Sequence, residues 1–183
     1  FHEVPGQLGF AGAEAPDYPR TQAALRDLCR VFAAEPRVAL EAELVRLCVN
    51  APGGVPAPPY ASWYLDGALL GPSREWAAEQ YRRQGLAAAA DAGEPADFIA
   101  VEFEYLYFLC RHQRAARLTG DAAALESASR AEAEFFVEHL SRWLPLFARD
   151  LAAAAAPAGA FARAGEALAA FCAEETGRLR RLG

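Results

Sequence analysis

The chain contains no lysine and no methionine, so apart from its three histidines every basic side chain is an arginine. That absence excludes a Schiff-base lysine, a lysine nucleophile and a lysine phosphate clamp, and we read the bias as genomic composition rather than function. Cysteine is sparse. Cys29, Cys48, Cys110 and Cys172 stand far apart and none belongs to a Cys-x-x-Cys pair. Zinc and dithiol motifs are thereby disfavoured, and reduced, buried thiols in a cytosolic protein are expected. No apolar run reaches the roughly 20 residues that span a bilayer, and no basic-then-apolar start marks a secretory signal. A soluble, cytoplasmic chain without stable membrane insertion is expected. It begins with Phe1 rather than Met, so the native start is expected to be missing.

The motifs of common chemistry are also absent. No Gly-x-Gly-x-x-Gly or P-loop pattern occurs, and Gly53-Gly54 alone signals only a turn. None of His2, His112 and His139 follows a Glu by three residues, the spacing of carboxylate-bridged metal sites in helical bundles. Ser62, His139 and Asp97 supply the residue types of a hydrolytic triad, but Ser62 lies in no nucleophile-elbow sequence. His139 reads as a helix-end or core histidine bonded to backbone. No catalytic residue, metal ligand or cofactor is therefore assigned, and the chain does not read as an enzyme. The net charge of −6 argues against nucleic-acid binding and suits a basic partner.

What the sequence does have is helical periodicity, abundant alanine and no convincing alternating strand. Residues 1–20, rich in Gly and Pro, read as a loop-like N-terminal segment; 21–183 read as one all-α globular bundle, a length that fills a single core. Thr21 is expected to cap a first helix with Leu25, Leu28, Val31 and Phe32 inward, ended by Pro36. A second, from about Val38 to Cys48, turns Leu40, Leu44, Leu47 and Cys48 inward. The proline-rich run from Asn50 to Pro59 cannot be helix and delivers a dense aromatic group, Tyr60 to Gly67. Ser73 is expected to cap a helix that stops at Gly85, followed by a linker over 87–93. Asp121 caps a further helix reaching about Leu140, another follows with Trp143 and Phe147, and Pro157 separates the last.

The central element is expected to open at Glu94-Pro95-Ala96-Asp97, with Pro95 preset for a helical start and Asp97 capping the first turn. Its apolar run, Phe98 to Cys110, predicts burial on most sides. Glu102 and Glu104 interrupt that run, so each must reach solvent or meet a basic group. On composition alone, the rings of Tyr60, Trp63, Tyr64, Trp76 and Tyr81 read as core, with a peptide groove as the alternative.

Taken in order, the segment from Pro58-Pro59-Tyr60-Ala61-Ser62-Trp63-Tyr64-Leu65-Asp66-Gly67 to Gly71, then Tyr81 and Gly85, then Glu94-Pro95-Ala96-Asp97 before an aromatic helix, resembles the TorD/DmsD/NarJ-type redox-enzyme maturation chaperones. Phe136 to Leu140, with Trp143 and Phe147, is similar to a later helix of that family. The resemblance implies a cytoplasmic chaperone that binds the twin-arginine leader or apo form of a molybdenum-cofactor oxidoreductase, assists cofactor insertion and delays Tat export. It implies a monomer or a helix-swapped homodimer, and a peptide-binding set of Tyr60, Ser62, Trp63, Tyr64, Asp66, Glu94, Asp97, Phe98 and Glu102. Aromatic walls would bury the leader's apolar stretch, and Asp66, Asp97 and Glu102 would meet its guanidinium groups. The family's His after Asp97 is Phe98 here. The alternative is a helical adaptor that binds a folded protein without reading a leader.

Overall fold

A computed structural model describes residues 17–86 and 93–181. The remainder of the loop-like start and of the 87–93 linker lies outside the described residues. The order is α1 (Pro19–Ala34), α2 (Arg37–Leu44), a wide π turn (Val45–Val49), α3 (Ala61–Leu65), α4 (Pro72–Arg83), α5 (Ile99–Thr119), α6 (Ala122–Phe135), a second π turn (Phe136–Leu140), α7 (Ser141–Ala154) and α8 (Ala160–Arg180). No strand occurs among the described residues, and one isolated antiparallel bridge joins Tyr60 to Phe98. The fold is all-α, as the periodicity predicts.

The first helix starts two residues before Thr21, with Pro19 at its N-terminus. Thr21 is not the cap but a buried residue of the first turn. Its N–H and hydroxyl donate to Glu174 of α8 at 2.9 and 2.6 Å, and the Arg20 N–H donates to the same carboxylate at 2.9 Å. Orphan donors of α1 are thus satisfied from across the bundle rather than from within. The α1–α8 contact leaves Leu25 and Phe32 exposed, and Leu44 of α2 also faces solvent, against the expectation that all three turn inward.

Helix α5 provides the frame for the rest. Its buried residues, Glu102, Tyr105, Leu106, Leu109, Gln113 and Ala116, repeat at three- and four-residue spacing and form one stripe. Tyr107 and Cys110 lie outside, so the helix is buried on one face and not on most sides. It packs on α6, and Gly120 ends it in the left-handed region at φ 71°. Asp121 then caps α6, accepting the Ala124 N–H at 2.9 Å, as its sequence predicts.

From Ala122 to Ala154 the chain is helical throughout, with the second π turn in the middle. Pro145 cannot donate to the carbonyl four residues earlier, that of Ser141, and the wide turn lies directly upstream. Helix α7 packs on both α8 and α3. At the α7–α8 crossing a Cβ on Gly165 would stand 2.6 Å from the Ala148 carbonyl, so only glycine permits this approach. The core joins Leu47, Tyr105, Leu109, Phe135, Phe136, Leu140, Trp143, Leu144 and Phe147.

All four cysteines are free thiols. Cys172 is buried and Cys48 half-buried, but Cys29 and Cys110 are exposed, correcting the expectation that the thiols are internal.

Candidate functional site

The aromatic segment and the start of the central helix meet at one end of the bundle. The Tyr60–Phe98 bridge is built from two backbone bonds: Ala61 N–H donates to the Asp97 carbonyl and Ile99 N–H to the Pro59 carbonyl, both at 3.0 Å. The two rings follow the bridge, with centroids 5.5 Å apart. Pro95 does not open α5. It begins a turn closed by Phe98 N–H on the Pro95 carbonyl at 3.0 Å, and the helix starts at Ile99 with Phe98 in the cap position.

Asp97 therefore does not cap its own helix. Its side chain is fully buried, and Oδ2 accepts the Ser62 N–H at 3.0 Å, which caps α3, the five-residue helix of the other segment. Ser62 is also fully buried; its Oγ and the Asp97 Oδ1 have no hydrogen-bond partner among the described residues.

Glu102 lies one turn further into α5 at 0% exposure. His139 Nε2 stands 2.6 Å from its Oε1, and the Trp143 indole N–H donates to Oε2 at 3.1 Å. Burial pushes the Glu102 carboxyl up to about 7, and the hydrogen bonds from His139 and Trp143 pull against that rise. The sequence offered two fates for the interrupting acids, and each is realised: Glu102 meets a basic group, while Glu104 is exposed. His139 is a core residue, but its partner is this carboxylate rather than backbone, and its ring stacks on Trp76 at 4.9 Å.

The aromatic group divides between core and surface. Tyr81 is buried and donates its hydroxyl to the Ala96 carbonyl at 2.7 Å; Tyr64 is half-buried and stacks on Trp143 at 5.9 Å. Trp63 is 44% exposed. Together with Tyr60 it lines a surface pocket of about 320 Å³ completed by Cys48, Val49, Val55, Pro58 and Leu69. The first π turn brings Cys48 and Val49 to this wall.

The acids have separate places. Asp66 is exposed, but its carboxylate holds the first turn of α4, accepting the Ser73 N–H and hydroxyl at 2.9 Å each. Ser73 is thus the capped residue and not the cap. Glu94 is exposed. It lies near enough to Tyr60 to help hold that phenol above its ordinary pKa, adding to the larger effect of burial.

Of the sequence-predicted set, Tyr60, Trp63, Asp66, Glu94 and Phe98 reach solvent fully or in part, and Tyr64 is mostly turned inward. Ser62, Asp97 and Glu102 are sealed within the fold, so in this conformation none of the three can touch a guanidinium group arriving from solvent. Cys48, which reads as an inward helix residue, Leu69, which lies within the motif run, and Val49 and Val55 carry no site signal in the sequence, because an apolar residue lining a surface pocket has the same signature as one in the core. Among the described residues no cluster of His, Cys, Asp or Glu could hold a metal ion.

This helical architecture, with its two motif segments clasped at one end, corresponds to a recognised class. The family model described as nitrate reductase delta subunit matches residues 14–149, and the chain belongs to that family, the TorD/NarJ group. Two proteins named chaperone protein TorD, from El Tor Inaba and Classical Ogawa strains of Vibrio cholerae serotype O1, are 34% and 33% identical over 91 residues. Each match covers 49% of this chain and only 40% of the relative. The fold is similar to the crystal structure of a protein from Archaeoglobus fulgidus assigned to redox enzyme maturation, with a TM-score of 0.55 and 21% identity over 91% of this chain and 98% of that one. No described helix is long and apolar enough to cross a membrane.

Proposed function

We propose that this chain is a redox-enzyme maturation chaperone that works in the cytoplasm, holds the twin-arginine leader of a molybdenum-cofactor oxidoreductase, assists cofactor insertion and delays export. The observation that carries this reading is the pocket between Tyr60, Trp63 and Leu69, a partly exposed ring-lined surface beside the acidic Glu94. Tyr and Trp are favoured where a surface must be apolar and also hydrogen-bond. A leader supplies the complementary chemistry, paired arginines followed by an apolar stretch.

At about 320 Å³ the pocket lies at the small end of the range for ligand sites, so it takes a short apolar segment. A disordered leader also loses about 2–5 kcal/mol in ordering. Moderate, reversible affinity follows, which suits release to the export machinery. Of the acids, Glu94 is the one we assign to the guanidinium pair, because Asp97 and Glu102 are buried and Asp66 is occupied by Ser73.

A second reading, contact with the folded body of a client, draws on Val49 and Leu69, exposed apolar side chains that line the same pocket.

The test is calorimetric titration with a synthetic peptide bearing two adjacent arginines before roughly 7–15 apolar residues. Wild type should bind it, Trp63→Ala should lose about 2 kcal/mol or more as a buried ring anchor does, and Glu94→Gln should lose less. Equal affinity for a scrambled peptide would remove the leader reading. Binding of a leaderless apo client in its place would favour the second.

A further inference from the structure

We infer that Asp97 is a positioning residue: it fixes the register of α3, and thereby aims Trp63 at the client, without touching the client itself. This rests on the pocket proposed above. Helix α3 has only five residues, too few to be stable alone, so its orientation must be imposed from outside. Asp97 imposes it twice. Its carbonyl accepts the Ala61 N–H at 3.0 Å and its carboxylate accepts the Ser62 N–H at 3.0 Å, so two successive orphan donors at the start of α3 are held by one residue.

The consequence lies in the residues that follow. With the Ser62 amide fixed, Trp63 points outward at 44% exposure and Tyr64 turns inward to stack on Trp143 at 5.9 Å. A rotation of α3 by one residue would exchange them, burying the ring that lines the pocket. The other carboxylate oxygen, Oδ1, has no hydrogen-bond partner among the described residues. Among the described residues the Ser62 N–H is the one hydrogen bond the carboxylate accepts, and through it the side chain sets α3.

A neutral isostere separates this role from a direct one. Asn offers the same carbonyl oxygen to the Ser62 N–H but carries no charge for an arginine. Using the two-arginine peptide described above, we expect Asp97→Ala to weaken binding by about fivefold or more, the factor to which loss of an ordinary cap converts. Asp97→Asn should restore most of that loss. An Asn variant as impaired as Ala, with the fold retained by circular dichroism, would mean that the charge itself is read and would overturn the inference.

Hydrogen exchange at the Ser62 amide needs no client. Protection should fall in Asp97→Ala and persist in Asp97→Asn. Unchanged protection in both would equally refute the positioning role. Should wild type bind no leader at all, the function proposed above fails, and the exchange measurement still decides whether Asp97 holds α3.

Discussion

The indole N–H of Trp143 donates to Oε2 of Glu102 at 3.1 Å, with both side chains at 0% exposure. The same indole ring stacks on Tyr64 of α3, so one residue ties the acid of the central helix to the segment that carries Trp63. Removing the carboxylate would leave the indole N–H and the His139 nitrogen buried without their partner. Glu102→Ala is accordingly expected to cost about 1–3 kcal/mol for each of the two buried groups left unpaired. Glu102→Gln keeps an oxygen for the indole and should cost much less. Urea midpoints measure both; similar losses for Ala and Gln would show that charge, and not hydrogen bonding, holds the cluster.

The same acid makes stability depend on pH. Burial raises the folded-state pKa of Glu102 from 4.5 to about 7, so the folded protein keeps a proton that the unfolded chain has already released. Its contribution is fully present below about 4.5 and is lost as pH rises through about 7. Across that window the slope attributable to this group reaches at most about 1.4 kcal/mol per pH unit. Urea unfolding of wild type and Glu102→Gln on both sides of the window checks it. The lead of wild type over Gln should be largest toward acid and shrink or reverse as pH rises through about 7; a constant difference would place the titration elsewhere.

Features written in neighbouring residues were legible in the sequence, and those that join distant residues were not. Asp121 three residues before the amide it caps, and Gly85 after its helix, carry their signals locally, and both positions agree with the structure. Pro95 misled for a physical reason. A proline ahead of an apolar run looks the same whether it occupies the first helical turn or the turn before it, and only the Tyr60–Phe98 bridge distinguishes them. Glu102 was recognisable as an anomaly, but its partners lie 37 and 41 residues on, and no periodicity links them. The all-α fold followed from pattern, whereas the burial of Asp97 and Ser62 depended on a tertiary contact 35 residues apart in sequence.

The α7–α8 crossing offers a test of backbone proximity. A Cβ at Gly165 would lie 2.6 Å from the Ala148 carbonyl and 2.9 Å from the Ala152 Cβ, and backbone cannot yield as a flexible side chain does. Gly165→Ala should therefore destabilise by about 1–3 kcal/mol despite the better helix propensity of alanine. Thermal unfolding measures it. A neutral or stabilising effect would mean that the two helices separate at little cost.

Gly71 and Asp66 form the last testable pair. A Cβ on Gly71 would fall 2.4 Å from Asp66 Oδ2 and 2.7 Å from its Cβ, so Gly71→Ala must push the carboxylate off Ser73. The φ of Gly71 is −75°, which alanine adopts freely, and backbone strain is not the cause. Both Gly71→Ala and Asp66→Ala should cost about 1 kcal/mol, the value of a helix cap. Each removes the cap, so the double variant should lose less than the sum of the two singles, though more than Asp66→Ala alone because the Cβ at position 66 still meets the new one, a coupling of the kind that contacting residues show. Strict additivity in a urea double-mutant cycle would mean that Gly71 protects something other than the cap of α4, and would reopen Asp66 as an acid available to a client arginine.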